Sequence, residues 1–115
     1  MNMVKASDFP EFESMAKVAV PRDGHIGLRP ESVALTTSGH TPIQGRIELV
    51  EALGAETLIY VRTERGAQFV ARQNTRTPLH VGDRVGLSVD ADAAHLFDAA
   101  GRITRTGAPA IPHAA

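Results

Sequence analysis

Five histidines (His25, His40, His80, His95 and His113) and thirteen Asp or Glu residues are the side chains here that could move protons or bind a metal. Histidines that share a zinc ion from one short segment need a spacing such as H-x-x-x-H, and no two of these five are four apart. His95 draws most interest because Asp92 and Asp98 flank it at three residues, but the surrounding turn residues favour an exposed histidine. Ser32 or Ser88 could be drawn into a triad with His95 and Asp98, yet no G-x-S-x-G segment presents either serine as a nucleophile. The carboxylate pairs Glu48 with Glu51 and Glu51 with Glu56 read as surface charges on a curved sheet. Glu51 itself interrupts an apolar run just before a tight turn. Two roles suit it: acceptor for the backbone N–H groups of the Gly54 turn, or contact with a partner surface.

The remaining chemistry is excluded more simply. No G-x-x-x-x-G-K-[ST] segment occurs and no G-x-G-x-x-G opens a helix, so the chain alone is not expected to bind nucleotide. Gly24-His25-Ile26-Gly27 is too short for a ligand loop. Cysteine is absent, which removes disulfides, thiolate metal sites and cysteine nucleophiles. A formal net charge of −1 gives no general attraction to phosphate backbones. Tyr60 and Phe69, with Arg62 and Arg72 near them, make too weak a platform for base stacking. The expectation is therefore no catalytic, cofactor-binding or metal-binding residue and no nucleic-acid partner. No apolar run approaches the roughly 20 residues of a membrane span, and the first residues lack a secretory signal, so a cytosolic, soluble chain is expected.

The elements that would carry these residues are short. The 115 residues suffice for one small domain, and with aromatics at 4% its core is expected to be Val, Ile, Leu and Ala. His25–Arg29 reads as a strand stopped by Pro30, and Pro30–Ser32 as a single helical turn with proline at its start. Val33–Leu35 resumes an extended run. Ile43–Leu53 is the longest strand, with Ile47 and Leu49 on one face and a β-bulge where Val50 breaks the alternation. Glu56–Arg62 and Ala67–Arg72 flank a Thr63-Glu64-Arg65-Gly66 hairpin turn. In Arg84–Val89 the residues Val85, Leu87 and Val89 alternate inward, and Asp90 caps one helical turn. His95–Phe97 and Arg102–Thr104 close the pattern around an Asp98–Gly101 turn. Short strands at this spacing predict an all-β fold, a barrel or a sandwich. Residues 1–24 read as a leader or shortened first strands, 25–104 as the barrel, and 105–115 as a disordered Ala/Pro-rich tail.

Four segments in order resemble a known family. Gly27-Leu28-Arg29-Pro30-Glu31 is similar to the G-[IL]-R-P-E segment of the C-terminal regulatory region of ABC importer ATPases of the maltose and glycerol-3-phosphate type. Ile47 to Thr57 resembles its V-x-x-V-E-x-L-G-x-E-T stretch. Val81-Gly82-Asp83-Arg84-Val85-Gly86-Leu87 resembles its P-G-D-x-V-x-L turn and strand, with Val81 in place of proline. His95-Leu96-Phe97-Asp98 with Gly101-Arg102 resembles its closing H-L-F-D…G-R, and Met1-Asn2-Met3 the Met-Asn that follows the ATPase domain.

The resemblance implies a TOBE domain, an OB-like β-barrel with one or two single helical turns. It implies a non-catalytic regulatory and dimer-supporting role for a sugar or glycerol-phosphate importer, as a fragment of a longer transport ATPase. ATP and Mg would then belong to the full-length parent and none to this chain. The implied partners are its own ATPase domain, a second copy as homodimer, the transporter's membrane subunits and a regulatory protein, at the cytoplasmic face of the membrane. The residues singled out by the motifs are Gly27, Arg29, Pro30, Glu31, Glu51, Gly54, Gly82, Asp83, Phe97 and Asp98. The alternative is a stand-alone oxyanion binder of the molybdate-binding type, which would need convergent N–H donors at the turns after Pro30 or Asp90.

Overall fold

Alternation of Val85 and Leu87 with Arg84 and Ser88 turns one side of residues 84–89 to a core and the other to solvent, and the neighbouring strands repeat that logic. The computed structural model describes residues 1–37, 39–74 and 77–108. Among them, nine strands and one short helix follow in the order β1 (Asn2–Lys5), α1 (Glu11–Ala16), β2 (His25–Leu28), β3 (Val33–Thr36), β4 (Ile43–Ala52), β5 (Thr57–Thr63), β6 (Gln68–Gln73), β7 (Arg84–Val89), β8 (His95–Phe97) and β9 (Ile103–Arg105). Three-residue 3-10 turns occupy Ala6–Asp8, Pro30–Ser32 and Ala91–Ala93. The fold is all-β and OB-like. Five strands in the order β3-β7-β4-β5-β6 form an antiparallel sheet whose edges β3 and β6 approach one another, nearly closing a barrel. A second antiparallel sheet runs β1-β2-β8-β9.

The long strand β4 has its irregularity two residues before the place the alternation suggests. The register with β5 shifts between Ile47 and Leu49, leaving Glu48 as the extra residue. That extra residue reverses the phase: Ile47 is buried, while Leu49 is 46% exposed rather than inward, and Val50 returns to the core. The bulge is held from outside the sheet. The Gly82 N–H donates to the Ile47 carbonyl at 2.8 Å, and the Ile47 N–H donates to the Asp83 carbonyl at 3.0 Å.

Residues 1–24, read from composition as a leader or shortened first strands, form β1, a 3-10 turn and α1. They bring Val4, Phe9 and Phe12 into the main core beside Ile26, Leu28, Ile47, Ile59, Val61, Phe69 and Leu87. The expectation of a purely aliphatic core is therefore corrected. Phe9 meets both Phe12 and Phe69 edge-on, at ring-centre distances of 5.6 Å, and Phe12 and Phe69 are among the largest fully buried side chains. Few aromatics are present, but three of the four phenylalanines sit together in the core.

Asn2 joins the two sheets. Its side-chain amide donates to the Val70 carbonyl at 2.9 Å, and its carbonyl accepts from the Val70 N–H at 2.7 Å. The side chain thus occupies both backbone groups of an edge-strand residue, as a neighbouring strand would. Past β9 the chain stays on the body. The Gly107 N–H donates to His95 Nδ1 at 3.0 Å, and the Ala108 N–H to the Asp92 carbonyl at 2.8 Å. The rest of the expected tail, residues 109–115, lies outside the described residues.

Candidate functional site

Most of the motif residues build turns. Arg29 accepts the Ser32 N–H through its carbonyl, and Pro30 starts the turn where its missing N–H leaves nothing unpaired. Gly82 has φ +92°, which lets the chain reverse before Asp83, whose carboxylate accepts the His80 N–H at 2.8 Å. Asp98 accepts the backbone N–H groups of Ala100 and Arg102 at 3.0 and 2.8 Å and pairs with the Arg102 guanidinium at 3.5 Å. These contacts account for Asp83 and Asp98 without any ligand.

Gly27 has a packing role. A Cβ there would stand 2.7 Å from Met1 Sδ and 3.0 Å from Phe97 Cε2, so the bare backbone is the floor on which those side chains rest. Met1, Met3 and Ile103 are each more than half exposed, and together with Phe97 they give the outer side of the second sheet an apolar surface.

The other motif carboxylates gather on the outer face of β4-β5-β6. Cross-strand register places Glu51, Leu58 and Arg72 in one row and Leu49, Tyr60 and Val70 in the next. Glu31, from the Arg-Pro-Glu turn, reaches Arg72 at 3.6 Å, and Glu56, from the turn after Gly54, reaches the same guanidinium at 3.6 Å. Two motifs 25 residues apart are thus clamped by Arg72, which sequence reasoning considered only as a neighbour of a stacking platform. The platform does not form: Tyr60 faces out opposite Val70, while Phe69 faces the core opposite Val61. A cation needed at β6 was legible only as an arginine at the outward phase of that strand. What it would clamp depends on long-range pairing.

Glu51 has a different partner from the turn N–H groups considered above. The turn is closed by the Leu53 N–H donating to the Glu56 carbonyl at 2.8 Å, with Gly54 at φ +83°. Across the hairpin, the Glu51 carboxylate is within hydrogen-bonding reach of the Tyr60 hydroxyl. Hydrogen bonding between them holds the Tyr60 phenol above its ordinary value of 10.0, with desolvation and the Glu51 charge acting in the same direction. A raised phenol pKa means this interaction's stabilisation is complete below the ordinary value and is lost as pH rises through the folded-state value. Tyr60 is the sole tyrosine and there is no tryptophan, so tyrosinate absorbance reports this group alone. The native chain is expected to titrate above the unfolded chain, and Glu51→Ala to bring the midpoint down; equal midpoints in native and variant chains would show the bond is not made.

Among the described residues no three His, Asp or Glu side chains come together to hold a metal ion, and no helix is long and apolar enough to cross a membrane. The turns after Pro30 and Asp90 are three-residue turns, and the Asp90 carboxylate itself accepts the Asp92 N–H at 3.2 Å. Neither offers a set of converging donors. Leu49 and Leu53 are exposed at 46% and 53% beside Glu51, Glu56 and Arg72, which leaves an apolar centre with a charged rim.

An OB-like barrel whose turns are fixed by these motifs defines a class of domain. Residues 26–97 match the TOBE domain family, and the chain belongs to it. It is 33% identical over 81 residues to the maltose/maltodextrin import ATP-binding protein MalK of Photobacterium profundum, covering 70% of this chain and 22% of that protein. It is 34% identical over 86 residues to the sn-glycerol-3-phosphate import ATP-binding protein UgpC of Psychromonas ingrahamii, with 69% and 23% covered. The lactose transport ATP-binding protein LacK of Rhizobium radiobacter is 31% identical over 101 residues, with 84% and 28% covered. The chain spans about a quarter of the length of these relatives, matching their C-terminal parts.

Proposed function

We propose that this TOBE domain is the non-catalytic C-terminal regulatory part of an importer ATPase for a sugar or glycerol-phosphate solute, and that it helps hold two ATPase subunits together. The exposed Leu49–Leu53 surface beside Tyr60 carries the reading, because a half-exposed leucine on the sheet face and another in the turn that follows it are well suited to burial against a second copy. The Met1, Met3, Phe97 and Ile103 surface is then assigned to its own ATPase domain. In this reading ATP and Mg bind that domain and not the barrel, and the assembly sits at the cytoplasmic face of the membrane against the membrane subunits, open to a regulatory protein. The absence of converging N–H donors at the Pro30 and Asp90 turns favours it over a molybdate-type binder.

Weak, reversible association is expected of the isolated chain. Raising its concentration should shift the backbone amide signals of Leu49, Leu53 and Tyr60 while those of Met3 and Ile103 stay in place. Concentration-independent signals on the Leu49–Leu53 face would contradict the dimer-supporting role.

A further inference from the structure

One feature of the barrel's outer face is more than its core needs, although Arg62 within it also donates to the Gly66 carbonyl of the hairpin turn at 2.9 Å. Register places Arg62 directly opposite Arg46, and Arg46 directly opposite Arg84, so three arginines stand side by side across β5-β4-β7. With strands about 4.8 Å apart the row is about 10 Å long. Directly opposed like charges weaken a sheet, and no packing demand fixes these exposed positions as arginine. Two carboxylates offset part of the repulsion: Glu48 lies 3.3 Å from Arg62 and Glu64 lies 2.8 Å from Arg84. Arg46, at the centre, donates to the Gly82 carbonyl at 3.2 Å and has no carboxylate partner among the described residues. The five side chains line an open hollow of about 450 Å³ with the Gly45 backbone in its wall.

We propose that this arginine row binds a phosphate group, as the free ion or as a monoester. Guanidinium forks take phosphate oxygens in pairs, and a dianion placed over Arg46 turns mutual repulsion into shared attraction. A carboxylate carries one charge, and the two already present leave the central arginine uncompensated. Glu48 and Glu64 do not bar entry. Their pairs with Arg62 and Arg84 are solvent-exposed, with side chains 42–70% accessible, and such pairs exchange readily for a stronger anion. The site is distinct from the Pro30 and Asp90 turns, since it uses side chains and not backbone donors.

The test is an amide chemical-shift titration of the full 115-residue chain with inorganic phosphate and, separately, methyl phosphate, against sodium chloride at matched ionic strength. Saturable shifts centred on Gly45, Arg46, Arg62 and Arg84 are expected with at least one phosphate probe. A response to both assigns recognition to the phosphate group alone, and a response only to methyl phosphate assigns a share to the esterified group. Arg46→Gln should weaken binding about tenfold or more. Glu48→Gln, which removes a competing carboxylate, should tighten it about threefold. Arg65→Gln, whose arginine pairs with Glu11 outside the row, should leave it unchanged. Non-saturating shifts equal to those with chloride, or saturable shifts indifferent to both Arg46→Gln and Glu48→Gln, would overturn the proposal.

Discussion

Phe12→Ala is expected to destabilise the domain by about 3–5 kcal/mol, a large share of the roughly 5–15 kcal/mol that holds a domain folded. Phe12 is fully buried and meets Phe9 edge-on, which in turn meets Phe69 of β6. Truncation removes the transfer free energy of one ring, leaves a cavity between α1 and the barrel, and loses an aromatic pair worth about 1 kcal/mol beyond its area. Because α1 has only six residues and no side-chain cap, it has little helical stability of its own and depends on this anchor. The urea-unfolding midpoint measures the loss. A fall of less than about 1 kcal/mol would mean that residues 1–16 are not integral to the core, since deletion of a well-packed ring costs several times that.

The second large effect is at Asn2. Asn2→Ala leaves the Val70 N–H and carbonyl without their partners at a position where Asn2 itself is only 7% exposed. Two buried backbone groups unsatisfied at about 1–3 kcal/mol each, less what water recovers, give an expected loss of about 2–4 kcal/mol. Asn2→Asp separates hydrogen bonding from shape. A carboxylate can still accept from the Val70 N–H but cannot donate to its carbonyl, and it adds a charge beside a strand edge, so it should not restore stability. Amide exchange at Val70 should accelerate in both variants. Native-like stability of Asn2→Asp would contradict the two-bond account.

These two residues show where the sequence was legible. Strand positions with clean alternation, such as Val85 and Leu87, and turns with a chemical signature, such as Asp90 or Gly66, were readable because their causes are local. Phe9 and Phe12 were not, because nothing in Asp8-Phe9-Pro10 is periodic and their burial depends on β6, almost sixty residues away. Asn2 was noticed as part of a motif, but its pairing with Val70 is a tertiary event. Alternation alone places the bulge two residues late, at Val50, because an apolar Leu49 looks inward until Glu48 is known to be the extra residue. At the candidate site, Glu31, Glu51 and Gly54 were found from their motifs. Arg72 and Tyr60, which organise them, could be placed only once β4, β5 and β6 were in register.

The central claim is that the Leu49–Leu53 face is where a second copy of this domain sits. Sedimentation equilibrium over a wide concentration range tests it most directly, comparing the native chain with Leu53→Glu and with Ile103→Glu. Leu53 and Ile103 are equally exposed, at 53%, so neither substitution disturbs the core. The account predicts a concentration-dependent dimer for the native chain and for Ile103→Glu, and a monomer for Leu53→Glu. A native chain that stays monomeric throughout, or a dimer abolished by Ile103→Glu and untouched by Leu53→Glu, would contradict it.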